Sequence, residues 1–476
     1  MARTPALALL ALALILGAGL RFYRLGRAEL TADEAAAWAG ATAPDLRAVV
    51  ERQRVLDPGK LALYDVALHG WVALDGDGVE SMRALSAALG TVAIALVFAA
   101  TRELLLDLGG AADVRSAELG AALAALIAAV NLTLVDQART VRMYPLTLVL
   151  ELAQVVCFLR AASPRPRAPG RVASLVGLAV FSACATASNF TAALLVAAEA
   201  IWLGWAALRR RGGARAAAGD GLHLLGPALA LGAGMALLGP MAPAAGRTSI
   251  AVVHAGVLDW SHLRPPWWPL ETLRSASGKA PFLPLLPLAI YGGWRMGRDG
   301  GGTALGFVLC WMLAPMAIVM AVSYTFTPFE ETRYVISSVA AFFILAGGGL
   351  AAIEGTRLRL ALLALVVALS LDHVRRDFIQ PQYVQWREAT ALALAANAPG
   401  GGTIAVVPAY AVNVVRYYLP PKWRASVEPA GEQCEMRQRV LLLSGEQVLA
   451  PARLAALRDC APLVVARLRL VEVRKR

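Results

Sequence analysis

The sequence is short of charge, histidine and cysteine. Of its 476 residues only 16% are Asp, Glu, Lys or Arg, and there are five His and five Cys. A water-soluble chain of this length needs far more charge to cover its surface, so a soluble globular protein is excluded. The cysteines show no Cys-x-x-Cys or other metal-ligand spacing. No internal repeat of the kind that marks many transporters is present. No basic stripe interleaves with aromatic residues, so the net charge of +12 does not point to nucleic acid.

What is abundant is apolar. Hydrophobic residues make up 58% of the chain, and the mean hydropathy is +0.59. Leu, Ala and Val recur in runs of roughly 16 to 22 residues, each long enough to cross the roughly 30 Å hydrocarbon layer as a helix. The runs cover residues 5–20, 84–101, 117–135, 143–159, 172–188, 190–208, 222–241, 281–296, 303–323, 334–353 and 358–371. They predict an all-α polytopic membrane protein with about eleven transmembrane helices. RFYRLG follows the first run where a signal peptide would carry a small-residue cleavage site, so a retained helix is expected. The run holding Pro281, Pro284 and Pro287 is the least regular.

The arginines set an orientation. With a cytoplasmic N-terminus, the inside loops hold Arg102 and Arg115, Arg160 to Arg171, Arg209 to Arg215, Arg295 and Arg298, and Arg357 and Arg359. These loops are short and basic, as the positive-inside rule asks. Two long segments, 21–83 and 242–280, then lie outside, as does everything after about residue 372. That last stretch changes character. GGTIAVVP and RVLLLS read as strands, and WREATALALAANA and PARLAALRD as helices. The order helix–strand–helix–strand–helix–strand predicts a small extracytoplasmic α/β domain over 372–476, beside a membrane domain over 1–371. Cys434 and Cys460 are the two cysteines of that stretch, and an oxidising compartment is expected to pair them.

Chemistry-bearing residues gather at the outer ends of the runs. Asp33 and Glu34 are adjacent acids just past the first helix. Thr31-x-x-Glu34 fits a capping box with Asp33 complementing the helix dipole, but a cap does not need two acids. Lys60 opens a part-apolar helix where it can meet a lipid phosphate or snorkel to the headgroups. Arg139 and Arg142 in DQARTVRMYPL, and Arg333 in FEETRYVISS, go against the positive-inside trend. An arginine fork there suits phosphate oxygens, or else a salt bridge to Asp136, Glu330 or Glu331. Glu151 and Glu199 lie inside apolar runs and read as helix-to-helix hydrogen bonders, two acids being too few for an ion path. His254, Asp259 and His262 share the second long segment without a recognised metal pattern.

Together these pieces resemble the GT-C superfamily of membrane glycosyltransferases, in the branch related to protein O-mannosyltransferases and the lipid A aminoarabinose transferase. Such proteins read RLG…L…DEA after the first helix. Here the chain reads RLGRAELTADEA, with Asp33 on the family's catalytic aspartate. A block like H-or-K-PPLYYLLLHLW, followed by RLLSALFG, is similar to KLALYDVALHGW and MRALSAALG, with Lys60 and Tyr64 in register. Leu61 and Ala62 replace the paired prolines. QEARMYAL is similar to DQARTVRMYPL at Arg142 and Tyr144, and PRYLL to TRYVI at Arg333 and Tyr334. WREATALALAANAPGGGTIAVVP resembles the tail of many bacterial relatives, which implies a bacterial inner membrane.

The resemblance implies a GT-C fold, a polyprenyl-phosphate-linked sugar donor, inversion at the anomeric carbon, and a glycan, lipid or protein acceptor approaching from outside. It makes Asp33 the catalytic base and assigns Lys60, Tyr64, Arg142, Tyr144, Arg333 and Tyr334 to substrate binding, while position adds Glu34 as the alternative base and Arg139 as a further substrate-binding candidate. Some relatives hold a divalent metal near the aspartate, but no ligand set is visible here. Two other readings compete. A transporter or flippase of lipid-linked sugars should show repeats or a charged path through the membrane. A non-catalytic scaffold should have no use for Asp33.

Overall fold

The computed structural model describes residues 4–57, 60–108, 114–163, 168–211, 222–239, 265–299, 302–325, 332–379, 385–397, 402–430, 438–444, 451–468 and 471–475. Most of the second long segment, with His254, Asp259 and His262, lies outside them. The helices are α1 Thr4–Phe22, α2 Ala32–Ala41, α3 Leu46–Leu56, α4 Leu63–Asp75, α5 Val79–Glu103, α6 Val114–Val130, α7 Leu132–Gln137 and α8 Tyr144–Ala162. They continue with α9 Ala168–Ser188, α10 Ala193–Arg211, α11 Leu222–Leu238, α12 Trp268–Ser277, α13 Lys279–Asp299 and α14 Thr303–Thr325. The last are α15 Ile336–Ala352, α16 Thr356–Ile379, α17 Trp386–Asn397, α18 Val412–Tyr418 and α19 Pro451–Cys460.

The apolar runs read from the sequence are helical where they are described, but the run 117–135 breaks at Asn131, whose side chain caps a second, short helix. Seven helices among the described residues are long and apolar enough to cross a membrane: α1, α5, α8, α9, α10, α14 and α15. The chain is an integral membrane protein. At the remaining runs, α6 and α11 are 17 residues long, and α13 and α16 carry charged residues at both ends.

The chain divides into two compact units. The first comprises Met1–Tyr23, Gln53–Ala67 and Arg83–Ile379. Water-driven burial is absent inside a bilayer, so its helices associate by close packing at small residues and by buried hydrogen bonds. A Cβ on Gly349 of α15 would lie 2.0 Å from the Leu288 carbonyl oxygen of α13, and one on Gly292 of α13 would lie 2.0 Å from that of Leu345. Gly347 meets the Ala124 backbone of α6 at a similarly short distance. Phe158, Trp202 and Phe307 pack ring to ring at 5.2 to 5.6 Å between α8, α10 and α14. Gln154 donates to Glu199 at 2.7 Å, and Glu151 hydrogen-bonds Ser337, so both intramembrane acids join helices. Arg21 at the end of α1 is buried and donates to the Ala129 carbonyl of α6 at 3.0 Å.

The second unit comprises Arg24–Arg52, Leu68–Met82 and Gln380–Arg476. Its sheet has five strands: β1 Thr403–Val407, β2 Val427–Pro429, β3 Gln438–Ser444, β4 Leu463–Arg467 and β5 Val471–Lys475, in the order β2-β1-β3-β5-β4. β1 runs parallel to β2 and β3, whereas β5 is antiparallel to β3 and β4. The helix α18 lies between the parallel strands β1 and β2, and a short connection suffices for the antiparallel pair β4–β5. The sequence pattern foresaw three strands where five form. β2 is three residues long, too short for a period to show, and the final apolar stretch folds back on itself as a pair. Cys157, Cys184 and Cys310 are free thiols, while Cys460 is disulfide-bonded. Cys434 lies outside the described residues.

Candidate active site

Within the first unit, residues from three separate stretches form a charged cluster. Lys60 precedes α4, Arg142 lies in the short turn between α7 and α8, and Arg333 lies in the one-turn helix Thr332–Val335 before α15. Tyr144, the first residue of α8, sits between two guanidinium groups. The Arg142 and Arg333 carbons each lie 5.9 Å from its ring centre, and Arg333 lies 5.7 Å from that of Tyr334. Such contacts orient an arginine by the ring's quadrupole.

Asp57, at the end of α3, joins this cluster. Its Oδ2 forms an ion pair with Lys60 Nζ and lies 3.1 Å from Arg142 Nη1. Burial works against ionising Asp57, but Lys60 and Arg142 outweigh it and hold the carboxyl below its ordinary range. Burial and the neighbouring Arg142 charge lower the Lys60 ammonium, with Asp57 and Asp65 opposing. Asp65, in the first turn of α4, is 1% exposed and its Oδ2 has no hydrogen-bond partner. Burial pushes its carboxyl up to about 6, against the pull of Lys60.

The structure thus brings together Lys60, Arg142, Tyr144, Arg333 and Tyr334. Tyr64 is fully buried, with its hydroxyl 3.2 Å from that of Ser86. Ala62 beside it adopts φ +62°, in the place of a family proline that φ value would forbid. Arg139 stands apart. It donates to the carbonyls of Leu20, Arg21 and Tyr23 at 2.6 to 3.1 Å, which satisfies the end of α1, and it covers the Phe378 ring at 4.4 Å. Asp57 and Asp65 were not singled out from the sequence. The signals for them were an acid three residues before a candidate cation, and an acid inside the otherwise apolar start of the helix LYDVAL.

Asp33 and Glu34 lie in the second unit, on α2. The capping box is formed: Glu34 Oε2 accepts the Thr31 N–H at 2.9 Å and Thr31 Oγ1 accepts the Glu34 N–H at 3.3 Å. Glu34 is buried by this role, whereas Asp33 is exposed. Residues far along the chain hold the start of α2. The Leu30 N–H donates to the Tyr418 hydroxyl at 2.8 Å, and the Arg387 N–H donates to Glu29 at 3.1 Å. Trp38 donates to Asp77 at 3.0 Å and meets Tyr417 edge to face at 5.2 Å. Among the described residues no three His, Cys, Asp or Glu side chains converge to hold a metal ion. A cavity beside Arg21, Gly90 and Gln137 has room for about one water and none for a sugar.

No protein-family model matches the sequence, and no curated protein matches it. Solved structures do resemble the fold. ArnT from Cupriavidus metallidurans bound to undecaprenyl phosphate superposes with a TM-score of 0.63 at 13% identity, over 98% of this chain and 97% of ArnT. The apo state of the same protein gives 0.61 at 14% identity, over 98% and 97%. The Archaeoglobus fulgidus oligosaccharyltransferase tethered to an acceptor peptide gives 0.56 at 10% identity, over 93% of this chain and 69% of that one. At such identities the likeness shows the fold alone, which is the one these membrane proteins share.

Proposed function

We propose that the protein is a glycosyltransferase that moves a hexose or pentose from a polyprenyl-phosphate-linked donor to an acceptor at the outer face of a bacterial inner membrane. The observation that carries this reading is the gathering of Arg142 and Arg333 about Tyr144, with Lys60 joined to Arg142 through Asp57, in a chain of GT-C architecture. In this reading eleven helices span the membrane from a cytoplasmic N-terminus, and the segment after residue 372 lies outside. The undecaprenyl phosphate held by ArnT and the peptide tethered to the oligosaccharyltransferase support a lipid-phosphate donor and a glycan, lipid or protein acceptor.

The chemistry follows from charge. As the acceptor oxygen or nitrogen bonds to the anomeric carbon, the sugar–phosphate C–O bond breaks with inversion and the phosphate gains a negative charge. Cations placed around it stabilise that charge as it develops. Two arginine forks and one ammonium suit three phosphate oxygens. The acceptor's proton passes to Asp33, a carboxylate exposed in the first turn of α2. Glu34 is committed to the cap. Tyr64 is buried against Ser86, and Arg139 closes the end of α1.

The test is incubation of the purified protein with a panel of polyprenyl-phosphate sugars, followed by mass spectrometry. Release of polyprenyl phosphate with sugar transferred to acceptor or water is the expected result. Sugar lipid moved across proteoliposomes without bond cleavage would replace this reading with a flippase.

A further inference from the structure

Asp57 lies against two of the cations read above as phosphate ligands. One of its oxygens, Oδ2, is shared by Lys60 Nζ and an Arg142 Nη. That oxygen sits where the two cations meet, so another anion engaging both must take its position. The two acids of the cluster differ in freedom. The Asp65 residue is 1% exposed in the first turn of a helix, but the Asp57 side chain is 27% exposed on a bend after α3. Gln53 Nε2 donates to the Asp57 backbone carbonyl at 3.0 Å, which anchors the main chain while the side chain can turn to water.

We propose that the Asp57 carboxylate competes with the donor phosphate for Lys60 and Arg142, standing in for a phosphate oxygen and giving way to it. This rests on the reading of those cations as phosphate ligands. Asp57 compensates two neighbouring like charges, one buried and one partly buried, which are otherwise costly. It also sets a threshold: an anion weaker than a phosphate does not displace it. The reaction's product, a lipid phosphate, leaves against the returning carboxylate, so the exchange also speeds release.

The alternative role for Asp57, holding the cations in position for substrate, predicts the opposite sign. Binding of undecaprenyl phosphate and of inorganic phosphate is measured for the full-length protein in detergent, in wild type, Asp57→Asn and Asp57→Ser. Competition predicts tighter binding of undecaprenyl phosphate in the variants, by about fivefold to tenfold, the loss of one charged rival. Tightening for inorganic phosphate alone supports competition at these cations but names a soluble anion in place of the lipid. Unchanged or weaker binding in folded variants overturns the competition and leaves the glycosyltransferase reading standing. Absence of binding in wild type and variants alike removes the phosphate site itself. If neither variant folds, Asp57 is a fixed structural counter-ion and the proposal falls.

Discussion

Asp33→Asn and Glu34→Gln separate catalysis from capping on one helix. Glu34 is fully buried and its carboxylate accepts the Thr31 N–H at 2.9 Å. Glutamine retains an acceptor oxygen at that place but loses the charge, and a charge-assisted bond exceeds a neutral one by about 1 kcal/mol. Glu34→Gln is therefore expected to lower stability by about 1 kcal/mol, visible as a shifted melting temperature, with transfer reduced only as far as folded protein is lost. Asp33 is exposed in the first turn of α2. Its removal forfeits at most about 0.5 kcal/mol of dipole stabilisation. As the base, however, its loss should cut the transfer rate about 100-fold, or about 2.7 kcal/mol of barrier, with donor affinity kept. The assay is the initial transfer rate at saturating donor, read beside the melting temperature of the same preparations. Near-normal transfer by Asp33→Asn together with abolished transfer by folded Glu34→Gln would refute the assignment and exchange the roles.

Three further outcomes are expected. Asp65 is raised to about 6 from an unfolded value near 3.8, so ionising it opposes folding. Its penalty is absent below about pH 4, grows as pH rises and is complete above about pH 6, reaching the order of 3 kcal/mol. Asp65→Asn should flatten that decline, and identical melting temperature profiles from pH 4 to 8 would remove Asp65 as its source. Gly349→Ala places a methyl group 2.0 Å from the Leu288 carbonyl oxygen, so α13 and α15 must separate at a cost of about 1 to 3 kcal/mol; unchanged thermal stability would show that this approach is not tight. Cys460 is disulfide-bonded, and Cys434 is expected to be its partner, the pair closing a loop of about 26 residues. Non-reducing peptide mapping should recover the two as one linked species, and a free Cys434 thiol would rule the pairing out.

The sequence by itself determined the class of protein and the helical identity of its apolar runs. A run of 16 to 22 Leu, Ala and Val residues is matched to bilayer thickness by length alone, and needs no partner to be read. The capping box at Thr31 and Glu34 was legible for the same reason, since a helix end is local. Only tertiary structure decided the rest. Lys60, Arg142 and Arg333 were separate candidates, but the rings of Tyr144 and Tyr334 and the Asp57 carboxylate make a cluster of them through contacts no local spacing encodes. Arg139 looked equivalent to Arg142 in sequence, yet one closes the end of α1 and the other meets Asp57, because one turn points them at different neighbours. Likewise, Arg24–Arg52 folds with residues beyond Gln380, and Leu30 meets Tyr418 across 388 positions. Hydrophobic period and capping are short-range properties of a chain. The pairing of distant polar groups is selected only when helices and strands pack, because a buried charge or N–H must find whatever partner the fold brings to it.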